Sequence, residues 1–283
     1  MKKIIFIGFT LLTLVLNAQD LSVLTYNIKY DDPKDTINGW NNRKEFLISQ
    51  LNYNHPDIFG TQEGLFGYFL NSIGGGAIDY EFFGVGRDFG DKKGEHTALF
   101  YNSKTVKLLD ESTFWLSETP DVPSKGWDAA LNRICTYGLF QIQKTGTQFL
   151  VFNTHFDHIG EEARKESALL ILNKIKKVNT NNLPVILMGD FNLESQSEGI
   201  QSILKIYNDA HLVADTAFGP TGTFNGFHFE KPVTRKIDFI FTSNKIKVLK
   251  SGILSDSKDC HYPSDHFPVY AELNLSDSKH FEN

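Results

Sequence analysis

Polar side chains that could do chemistry stand beside short apolar runs at five separate places in this 283-residue sequence. The five places are Asn27 after Val23-Leu24, Gln62-Glu63 after Ile58-Phe59, residues 153–158 after Phe149, Asp190 and Asn192 after Val185, and Asp265-His266 before Phe267. Each place alone says little, because Asp and Asn at strand ends commonly form turns. Strand C-terminal ends form the usual binding rim of stacked α/β architectures, so the repetition favours one shared site.

The side chains at these places are mainly hard oxygen ligands. They comprise the carboxylates of Glu63, Asp190 and Asp265, the amides of Asn27 and Asn192, and the imidazoles of His155 and His266. The set contains no Cys, and such a set suits Mg²⁺, Mn²⁺ or Ca²⁺ better than Zn²⁺. Mg²⁺ held by one or two carboxylates is typical of phosphate chemistry, because the phosphate completes the coordination. The residue types therefore favour metal-assisted phosphoester chemistry.

Other interpretations stay open at each position. Asn27 could simply form a turn, and Asp190 with Asn192 could form an Asx turn. Glu63 could be a charge at a helix N-terminus, and His155 could be a hydrogen-bonded core residue. The run His155-Phe-Asp157-His158 resembles a zinc-ligand cluster, although no partnering Cys/His set stands elsewhere. The residue types alone do not decide between these roles.

The elements that would position these residues alternate between β-rich runs and helical patterns. Strands are predicted at Ser22–Ile28, Asp57–Gly60, Tyr80–Val85, Thr97–Tyr101, Val106–Leu109, Ile134–Ile142, Gln148–Asn153, Pro184–Met188, Ile237–Phe241, Lys247–Leu249 and Val269–Leu273. Helices are predicted at about Asn41–Asn54, Glu161–Val178 and Glu198–Tyr207. The longest irregular stretch, Leu116–Arg133, is rich in Pro and Gly, and a loop that long is more often functional than idle.

Composition indicates a globular protein. Hydrophobic residues make up 41% of the chain, and its 24 Phe, 10 Tyr and 3 Trp suit packed sheet layers, which excludes disordered and collagen-like classes. Cys135 and Cys260 are too few for a disulfide scaffold, and a bond between them is not favoured. Because the polar places are scattered from end to end and a site needs them together, we predict a single domain over residues 19–283.

The first eighteen residues predict a secretory signal peptide. Lys2-Lys3 forms a positive start, Ile4–Leu16 is an apolar run of thirteen residues, and Leu16-Asn17-Ala18 is a possible cleavage site. A spanning helix needs roughly 20 apolar residues, which disfavours a membrane anchor. We therefore expect a secreted protein, periplasmic or extracellular after cleavage, with no stable membrane insertion of the mature chain.

The charge balance argues against a long nucleic-acid groove. The chain has 28 Lys+Arg against 34 Asp+Glu, and removal of Lys2 and Lys3 takes the formal charge from −6 to −8. The densest basic cluster, Lys174 with Lys176 and Lys177, suits the solvated face of a helix. A small phosphoester is therefore favoured over duplex DNA, and a secreted nuclease acting on DNA or RNA is the alternative.

Six short motifs follow one another along nearly the whole chain. They are Thr25-Tyr-Asn27, Thr61-Gln-Glu63, Asn153-Thr-His155, Gly189-Asp190-Phe-Asn192, Lys236-Ile-Asp238-Phe-Ile240 and Ser264-Asp265-His266. Their order resembles the endonuclease/exonuclease/phosphatase superfamily, the deoxyribonuclease-like metal-dependent phosphoesterases. The resemblance implies an α/β fold, a four-layer sandwich of two packed mixed β-sheets flanked by helices. Short segments such as Asn38-Gly-Trp40 and Gly222-Thr-Phe-Asn-Gly-Phe227 resemble those of a secreted bacterial branch of this superfamily.

The resemblance also implies a metal site and a water-activating group. Glu63 would be the principal metal carboxylate, assisted by Asn27 and Asp265. The implied ion is Mg²⁺, with Mn²⁺ or Ca²⁺ as alternatives. Asp190 and Asn192 would orient the attacking water and a phosphate oxygen.

Two carboxylate–histidine pairs are implied around the phosphorus atom. Asp238 would orient His266, and Glu95 would fix His155 on the opposite side of the phosphate. Arg133 resembles a basic residue that lies near the phosphate. Which imidazole is the acid and which is the base is left open.

The shared core does not choose the substrate, because related sites cleave nucleic acids, nucleotides, inositol phosphates and phospholipid head groups. Trp40, Trp127 and the segment 222–229 supply aromatic rings that would stack a base or a sugar, or merely pack the loops. Two other classes stay open, a carboxylate-based glycosidase and a non-catalytic binding protein. The implied partner is a small phosphoester or a nucleic acid, and no protein partner is evident.

Overall fold

The computed structural model describes residues 21–67, 71–76 and 79–275. The predicted signal peptide lies outside the described residues, so its prediction stands on the sequence alone. In the described part of the chain, no helix combines the length and the apolar composition that crossing a membrane requires.

Strands dominate the fold and alternate with a few helices. The strands of the described chain are β1 (Leu21–Asn27), β2 (Ile58–Gln62), β3 (Gly64–Leu65), β4 (Tyr80–Phe83), β5 (Glu95–His96), β6 (Leu99–Asn102), β7 (Val106–Trp115), β8 (Ile134–Ile142), β9 (Gln148–His155), β10 (Val185–Asp190), β11 (Asn208–Asp209), β12 (Thr216–Phe218), β13 (Asp238–Thr242), β14 (Lys247–Ile253) and β15 (Val269–Asn274). Its helices are α1 (Trp40–Asn54), α2 (Asn71–Gly76), α3 (Glu161–Val178), α4 (Glu198–Leu204) and α5 (Ala210–Val213).

Two large mixed sheets form the centre of the molecule. One has seven strands in the order β12-β14-β15-β1-β2-β6-β4, and the other has six in the order β11-β13-β10-β9-β8-β7. Strands β1 and β2 run parallel to each other, as do β9 and β10, while the other neighbours of these four strands are antiparallel. A short two-stranded sheet joins β3 to β5. Each large sheet therefore has one parallel pair at its centre.

Both faces of each large sheet are buried. In β1, Val23 packs in the core between the sheets, whereas the adjacent Leu24 packs with Leu47 of α1. In β10, Ile186 packs between the sheets and Leu187 joins the core formed with α3 and α4. Successive strand residues point to opposite faces, so burial on both faces requires continuous apolar runs. The layers are helix, sheet, sheet and helix, which confirms the predicted four-layer sandwich.

Helix α3 covers the six-stranded sheet over its predicted span. Its buried residues include Ile171 and Ile175, which are one helical turn apart. At its N-terminus, a carboxylate oxygen of Asp128 accepts a hydrogen bond from the backbone N–H of Ala163 at 2.7 Å. Exposed lysines occupy its last turn, where they complement the helix dipole. The basic cluster of the sequence is therefore largely a solvated helix face.

Strand β7 is longer than the predicted strand Val106–Leu109, because it continues to Trp115. Its pairing with β8 runs from Val106 opposite Ile142 to Trp115 opposite Ile134. The middle of β7 is polar and exposed at the edge of the sheet, so backbone hydrogen bonds rather than apolar side chains hold it there. A strand of this kind lacks the alternation of apolar and polar residues by which strands are recognised in sequences.

Several residues of uncertain role find a structural explanation. Trp40 is buried in the core at the start of α1 and therefore walls no binding site. Cys135 is buried, Cys260 is exposed, and both are free thiols. The segment 116–133 contains no helix or strand in the described structure, and it ends at Arg133 beside the predicted site.

Candidate active site

Strand register brings the predicted site residues to one edge of the sandwich. In the seven-stranded sheet, Asn27 at the end of β1 lies beside Gln62 at the end of β2. In the six-stranded sheet, Asp190 at the end of β10 pairs with His155 of β9 on one side and with Asp238 of β13 on the other. Because parallel strands end at the same edge, polar residues after different strands become neighbours.

The buried amide of Asn27 joins the two sheets at this edge. Its Nδ2 donates hydrogen bonds to Oε1 of Glu63 and to Oδ2 of Asp190, each at 3.0 Å. Its Oδ1 accepts a hydrogen bond from the backbone N–H of Lys29 at 3.0 Å. The hydroxyl of Ser264 donates to the backbone carbonyl of Asn27 at 2.6 Å. Asn27 therefore contacts Glu63 and Asp190 through its side chain, and Ser264, the residue before Asp265-His266, through its backbone.

His266 is oriented by Asp238. Its Nδ1 lies 2.9 Å from Oδ2 of Asp238, so the contact predicted between these residues is present. Its Nε2 lies 3.9 Å from Oδ2 of Asp190. The ring of Phe224 packs edge-on against the imidazole at 5.1 Å. The bond at Nδ1 fixes the ring and leaves Nε2 facing Asp190.

His155 is held by a cation instead of a carboxylate. Nη1 of Arg133 lies 3.1 Å from its Nδ1 and 3.2 Å from its Nε2. The same guanidinium contacts Nδ1 of His158 at 3.0 Å and Oδ2 of Asp157 at 3.4 Å. Asp157 is 1% exposed, so Arg133 is anchored by a buried ion pair beside the histidine.

The two site histidines have opposite pKa shifts. Burial and then the positive charges of Arg133 and Arg87 hold the pKa of His155 well below its usual range, so this imidazole is neutral. Burial also acts to lower the pKa of His266, but the carboxylates of Asp238 and Asp190 outweigh it and raise that pKa. His266 is therefore an imidazolium at neutral pH.

Asp190 stands between the two imidazoles. Its Oδ2 lies 3.5 Å from Nε2 of His155 and 3.9 Å from Nε2 of His266. Burial and the neighbouring Asp238 raise the pKa of Asp190. Ligand atoms of Asp190, Asp238 and His266 all lie within 4.8 Å of one another, so this buried group could hold a divalent ion. The direct hydrogen bond between Asp238 and His266 suits proton transfer equally well.

A second group of acidic residues faces a cation of the protein itself. Nζ of Lys29 lies 3.9 Å from Oε2 of Glu63 and 3.7 Å from Oδ2 of Asp265. The two carboxylates come from different strand ends and converge on one positive charge. Burial acts to raise the pKa of Glu63, but Lys29 and the backbone N–H of Tyr30 outweigh it and lower that pKa. This pair of carboxylates with the Asn27 amide is a donor set that fits a hard divalent cation.

Three residues of the site have left-handed backbone conformations. The φ angles are 57° at Lys29, 66° at Glu63 and 49° at Asn192. A side chain disfavours this region, and such residues cluster at functional sites. Asn192 forms the Asx turn that its sequence suggested, since its backbone N–H donates to Oδ1 of Asp190 at 2.9 Å. Its amide Nδ2 donates to the carbonyl of Phe156 at 3.1 Å, so the turn is tied to the neighbouring strand end.

A buried polar network supports the site from below. Nε2 of Gln62 donates to Oδ1 of Asn153 at 2.7 Å and to Oγ1 of Thr25 at 3.1 Å. Nδ2 of Asn153 donates to the backbone carbonyls of Thr61 and Ala98. The bonds made by Asn153 cross from one sheet to the other and fix the relative position of the sheets. The sequence placed Gln62 and Asn153 within the motifs, but only the packed sheets show this role.

The implied pairing of Glu95 with His155 is wrong. Both carboxylate oxygens of Glu95 accept hydrogen bonds from Arg87, at 2.8 Å each. Glu95 stands on a different strand from His155, and a planar guanidinium matches a carboxylate in two parallel hydrogen bonds, so Arg87 is the better partner. Glu95 nevertheless lines the same cavity. Arg133 occupies the position beside His155 that was predicted for Glu95.

One cavity of about 470 Å³ opens onto these residues. Its lining contains most of the predicted site residues, namely Glu63, Glu95, Arg133, His155, Asp190, Asn192, Asp265 and His266. It also contains His158 of the possible zinc-ligand run and Phe224 of the aromatic segment 222–229. Lys29, Tyr30, Arg87 and Leu131 complete the lining, and sequence reasoning did not single them out. For Lys29 and Tyr30 the available signal was adjacency to a motif. Arg87 had no such signal, because it stands in a loop between motifs.

Comparisons with known proteins agree with this geometry. The sequence profile described as the Endonuclease/Exonuclease/phosphatase family matches residues 24–266. A solved endonuclease/exonuclease/phosphatase family protein of Bacteroides thetaiotaomicron is 40% identical, with a TM-score of 0.86, over 89% of this chain and 97% of that one. A mannosyl-6-phosphatase of the same species is 41% identical, with a TM-score of 0.85, over 90% of this chain and 99% of that one.

More distant proteins share the fold. The human Nocturnin catalytic domain is 18% identical with a TM-score of 0.72, over 92% of this chain and 96% of that one. Among curated relatives, an uncharacterized protein of Acanthamoeba polyphaga mimivirus is 30% identical over 56% of this chain and 60% of its own length. An exoribonuclease subunit of the CCR4-Not complex of Mycosarcoma maydis is 22% identical over 92% of this chain and 51% of its own length. The chain spans about half the length of the curated relatives it matches.

Proposed function

The chain belongs to the endonuclease/exonuclease/phosphatase family, whose members are metal-dependent phosphoesterases, and we propose that it hydrolyses small phosphomonoesters with a divalent cation. The observation that carries the proposal is the convergence of carboxylates, two oppositely charged imidazole environments and a buried arginine on one cavity. Hydrolysis of a phosphoester needs these components, since it requires an oriented water, positive charge for the phosphate oxygens and a proton for the leaving oxygen.

The basic side of the cavity suits the phosphate oxygens. Arg133 carries a fixed positive charge, and its ion pair with buried Asp157 keeps the guanidinium in position. Burial and Arg133 lower the pKa of His155, so its ring is neutral. The positive charge on this side of the cavity therefore belongs to Arg133 and not to the imidazole. We infer that Arg133 and His155 orient the phosphate.

The acidic side of the cavity suits proton transfer. Asp238 holds His266 through Nδ1, so only Nε2 can exchange a proton with the reacting atoms. Burial and Asp238 raise the pKa of Asp190, which brings a carboxylate closer to the range in which it can accept a proton from water. We infer that Asp190 orients the attacking water with Asn192, while His266 acts as a proton carrier beside it.

The residues fit a bound divalent cation at the position that Lys29 faces. Glu63 and Asp265 would hold it. Asn27 would assist through its amide oxygen once the amide turns over, because in this structure Nδ2 faces Glu63 and Oδ1 accepts the backbone N–H of Lys29. When bound, such an ion lowers the pKa of a coordinated water and screens the phosphate charge. Mg²⁺ is the proposed ion, with Mn²⁺ as the alternative.

Size and similarity favour a small substrate. A cavity of about 470 Å³ has the volume of a small-molecule site. The formal charge of −6 provides little attraction for a long polyanion. The similar protein of Bacteroides thetaiotaomicron is a mannosyl-6-phosphatase, so we propose a phosphorylated sugar as the first substrate class for this chain.

The experiment is a hydrolysis assay over three esters. Mannose 6-phosphate, p-nitrophenyl phosphate and bis(p-nitrophenyl) phosphate are each supplied with Mg²⁺, Mn²⁺ or EDTA. We expect hydrolysis of the two monoesters with metal, loss of both activities in EDTA, and recovery when metal is restored. His266→Ala should abolish turnover, whereas His261→Ala replaces an exposed histidine outside the cavity and serves as the matched control.

Each other result excludes the proposal in a specific way. Cleavage of the diester and of DNA or RNA without monoester hydrolysis would support a nuclease. Full activity in EDTA would contradict the metal requirement. Full activity of His266→Ala would remove this histidine from the mechanism.

Export is a separate proposal that rests on the N-terminal sequence. The positive start, the apolar run and Ala18 are typical of a secretory signal. We expect the full-length chain, expressed in a bacterium, to be recovered from the periplasm or the medium with its N-terminus at Gln19. N-terminal sequencing checks the cleavage site, and an uncleaved cytoplasmic product would contradict it.

A further inference from the structure

Arg87 and Glu95 form a charge pair in the cavity wall that the proposed reaction does not use. Nη1 and Nη2 of Arg87 donate to the two carboxylate oxygens of Glu95 at 2.8 Å each. The Arg87 side chain is 11% exposed and the Glu95 side chain 19% exposed, and both line the cavity. Because the pair is neutral as a unit, it adds little net attraction for a phosphate.

The loop that carries Arg87 is held in place by the protein. The backbone carbonyl of Arg87 accepts hydrogen bonds from the indole Nε1 of Trp115 at 2.7 Å and from Nδ2 of Asn132 at 3.3 Å. The backbone N–H of Arg87 donates to the carbonyl of Glu95 at 3.0 Å. Gly90 of the same loop packs so closely on the Trp115 ring that a Cβ there would lie 3.0 Å from it. A wall built in this way needs little ordering when a ligand binds.

The pair retains unused hydrogen-bonding capacity. An arginine has five N–H donors and a carboxylate has about four lone-pair sites, and their mutual contact occupies two of each. Nε of Arg87 also lies 4.0 Å from Oδ1 of Asp88. Because both Arg87 and Glu95 line the cavity, their remaining donors and acceptors are available to a ligand there. A hydroxyl group both donates and accepts, so two adjacent hydroxyls match this arrangement better than a phosphate or an apolar group does.

Apolar side chains border the same cavity. Leu131 is 41% exposed and Tyr30 is 38% exposed, although both are large hydrophobic residues. They line the cavity together with Phe224. A sugar ring has C–H faces and hydroxyl edges, so it can contact apolar side chains and a polar pair at once. Small-molecule sites commonly combine apolar walls with a few placed polar groups in this way.

We propose that Arg87 and Glu95 are specificity-determining residues that bind ring hydroxyls of a phosphorylated sugar. The inference rests on the proposed phosphoesterase function and deepens it, because it assigns the recognition of the alcohol part of the substrate to this pair. Arg133 and His155 then recognise the phosphate, and the Arg87–Glu95 pair distinguishes a sugar phosphate from a phosphoester that lacks hydroxyls.

The test compares two monoesters in two variants of the mature enzyme. Arg87→Lys and Glu95→Gln are assayed with mannose 6-phosphate and with p-nitrophenyl phosphate under metal. We expect kcat/KM for the sugar phosphate to fall about tenfold more than kcat/KM for the aryl phosphate, with the loss mainly in KM. Lys165→Gln breaks the exposed Lys165–Glu198 ion pair outside this cavity and should leave the ratio unchanged.

The outcomes separate this inference from the proposed function. If the wild-type chain hydrolyses neither ester with metal, the proposed function fails. If the wild type is active and both variants lose activity equally on the two esters, or lose none, the pair does not select hydroxyls and the inference fails. Thermal unfolding reports whether each variant folds, and two variants on opposite sides of the pair keep the test decisive if one does not.

Discussion

Two buried histidines lie on either side of Asp190, and their environments differ in the sign of the nearest charge. His266 contacts Asp238 at 2.9 Å, and Phe224 packs against its ring. His155 has Arg133 within 3.2 Å of both ring nitrogens. Burial acts to lower both pKa values, yet the pKa of His266 is raised and that of His155 is lowered further.

The comparison shows that burial alone does not decide the protonation state of a histidine. Two imidazoles with similar burial carry different charges because one faces carboxylates and the other faces a guanidinium. The acidic side therefore holds a proton on His266 at neutral pH beside Asp190, whose pKa is raised to about 7, whereas the basic side presents a fixed charge and a neutral ring. Each of the following predictions changes one side while leaving the other in place.

The largest effect is expected from removing the charge on the acidic side. Asp238→Asn keeps the size of the side chain but removes the carboxylate that raises the pKa of His266 and orients its ring. We expect kcat to fall roughly 10³-fold and the pKa of His266 to fall as well. Steady-state kinetics and an NMR titration of the imidazole check both changes. Asp215→Asn, at an exposed ion pair with Lys247, is the control, and equal activity of the two variants would refute the prediction.

A smaller loss is expected on the basic side. Arg133→Gln removes the positive charge next to His155, so the pKa of His155 should rise toward its ordinary value. Loss of a charged group that orients the phosphate should lower kcat/KM about 10²-fold. The histidine titration is followed by NMR and the activity with p-nitrophenyl phosphate. An unchanged pKa of His155 would show that Arg133 does not contribute to lowering it.

Asp157, the buried ion-pair partner of Arg133, predicts a pH dependence of the unfolding free energy. Burial acts to raise the pKa of Asp157, but the backbone N–H groups of Gly160 and Ile159 and then Arg133 outweigh it and lower that pKa. A group with a lowered pKa stabilises the fold fully above its ordinary pKa. This contribution begins to be lost as the pH falls below about 4 and is lost completely only below the lowered pKa of the folded protein. Asp157→Asn should therefore lose about 2 kcal/mol of unfolding free energy at pH 7 and less at pH 3.

Urea unfolding at the two pH values measures that difference. The wild type should lose more stability between pH 7 and pH 3 than Asp157→Asn does. Parallel loss in both proteins would mean that Asp157 is not responsible for the acid sensitivity.

The smallest effect concerns the lysine between the two metal-site carboxylates. Lys29→Met keeps the length of the side chain and removes the positive charge near Glu63 and Asp265. We expect Mn²⁺ to bind roughly fivefold more tightly, because the ion no longer competes with that charge. Isothermal titration calorimetry without substrate measures the affinity. Weaker binding would indicate that Lys29 supports the cation site instead of competing with it.

Much of the fold could be predicted from the sequence. The span of α3 and of β8 is as predicted, and the layer arrangement is confirmed, because apolar runs and helical periodicity report burial directly. The prediction fell short at β7, whose polar middle is held by pairing with β8 rather than by side-chain burial. Local sequence carries little information about hydrogen bonds made to another strand.

The residues of the candidate site could also be predicted, but not all of their partners. The family resemblance pairs Asp238 with His266, and the structure has that contact. The resemblance also pairs Glu95 with His155, but Glu95 contacts Arg87 instead. Arg87 gave no sign of belonging to the site, since it stands in a loop away from every motif. The catalytic and metal-binding roles of the motif residues stay predictions.

The sequence by itself determined the kinds of groups available: hard oxygen ligands, two site histidines and the order of six motifs. It also determined the elements that carry them, since each motif adjoins a strand whose apolar residues must be buried. Only the tertiary structure decided which charge faces which histidine, because those neighbours come from strands far apart in the chain. Electrostatic interactions fall off with distance and depend on burial, so protonation states follow from the packed arrangement and not from residue types.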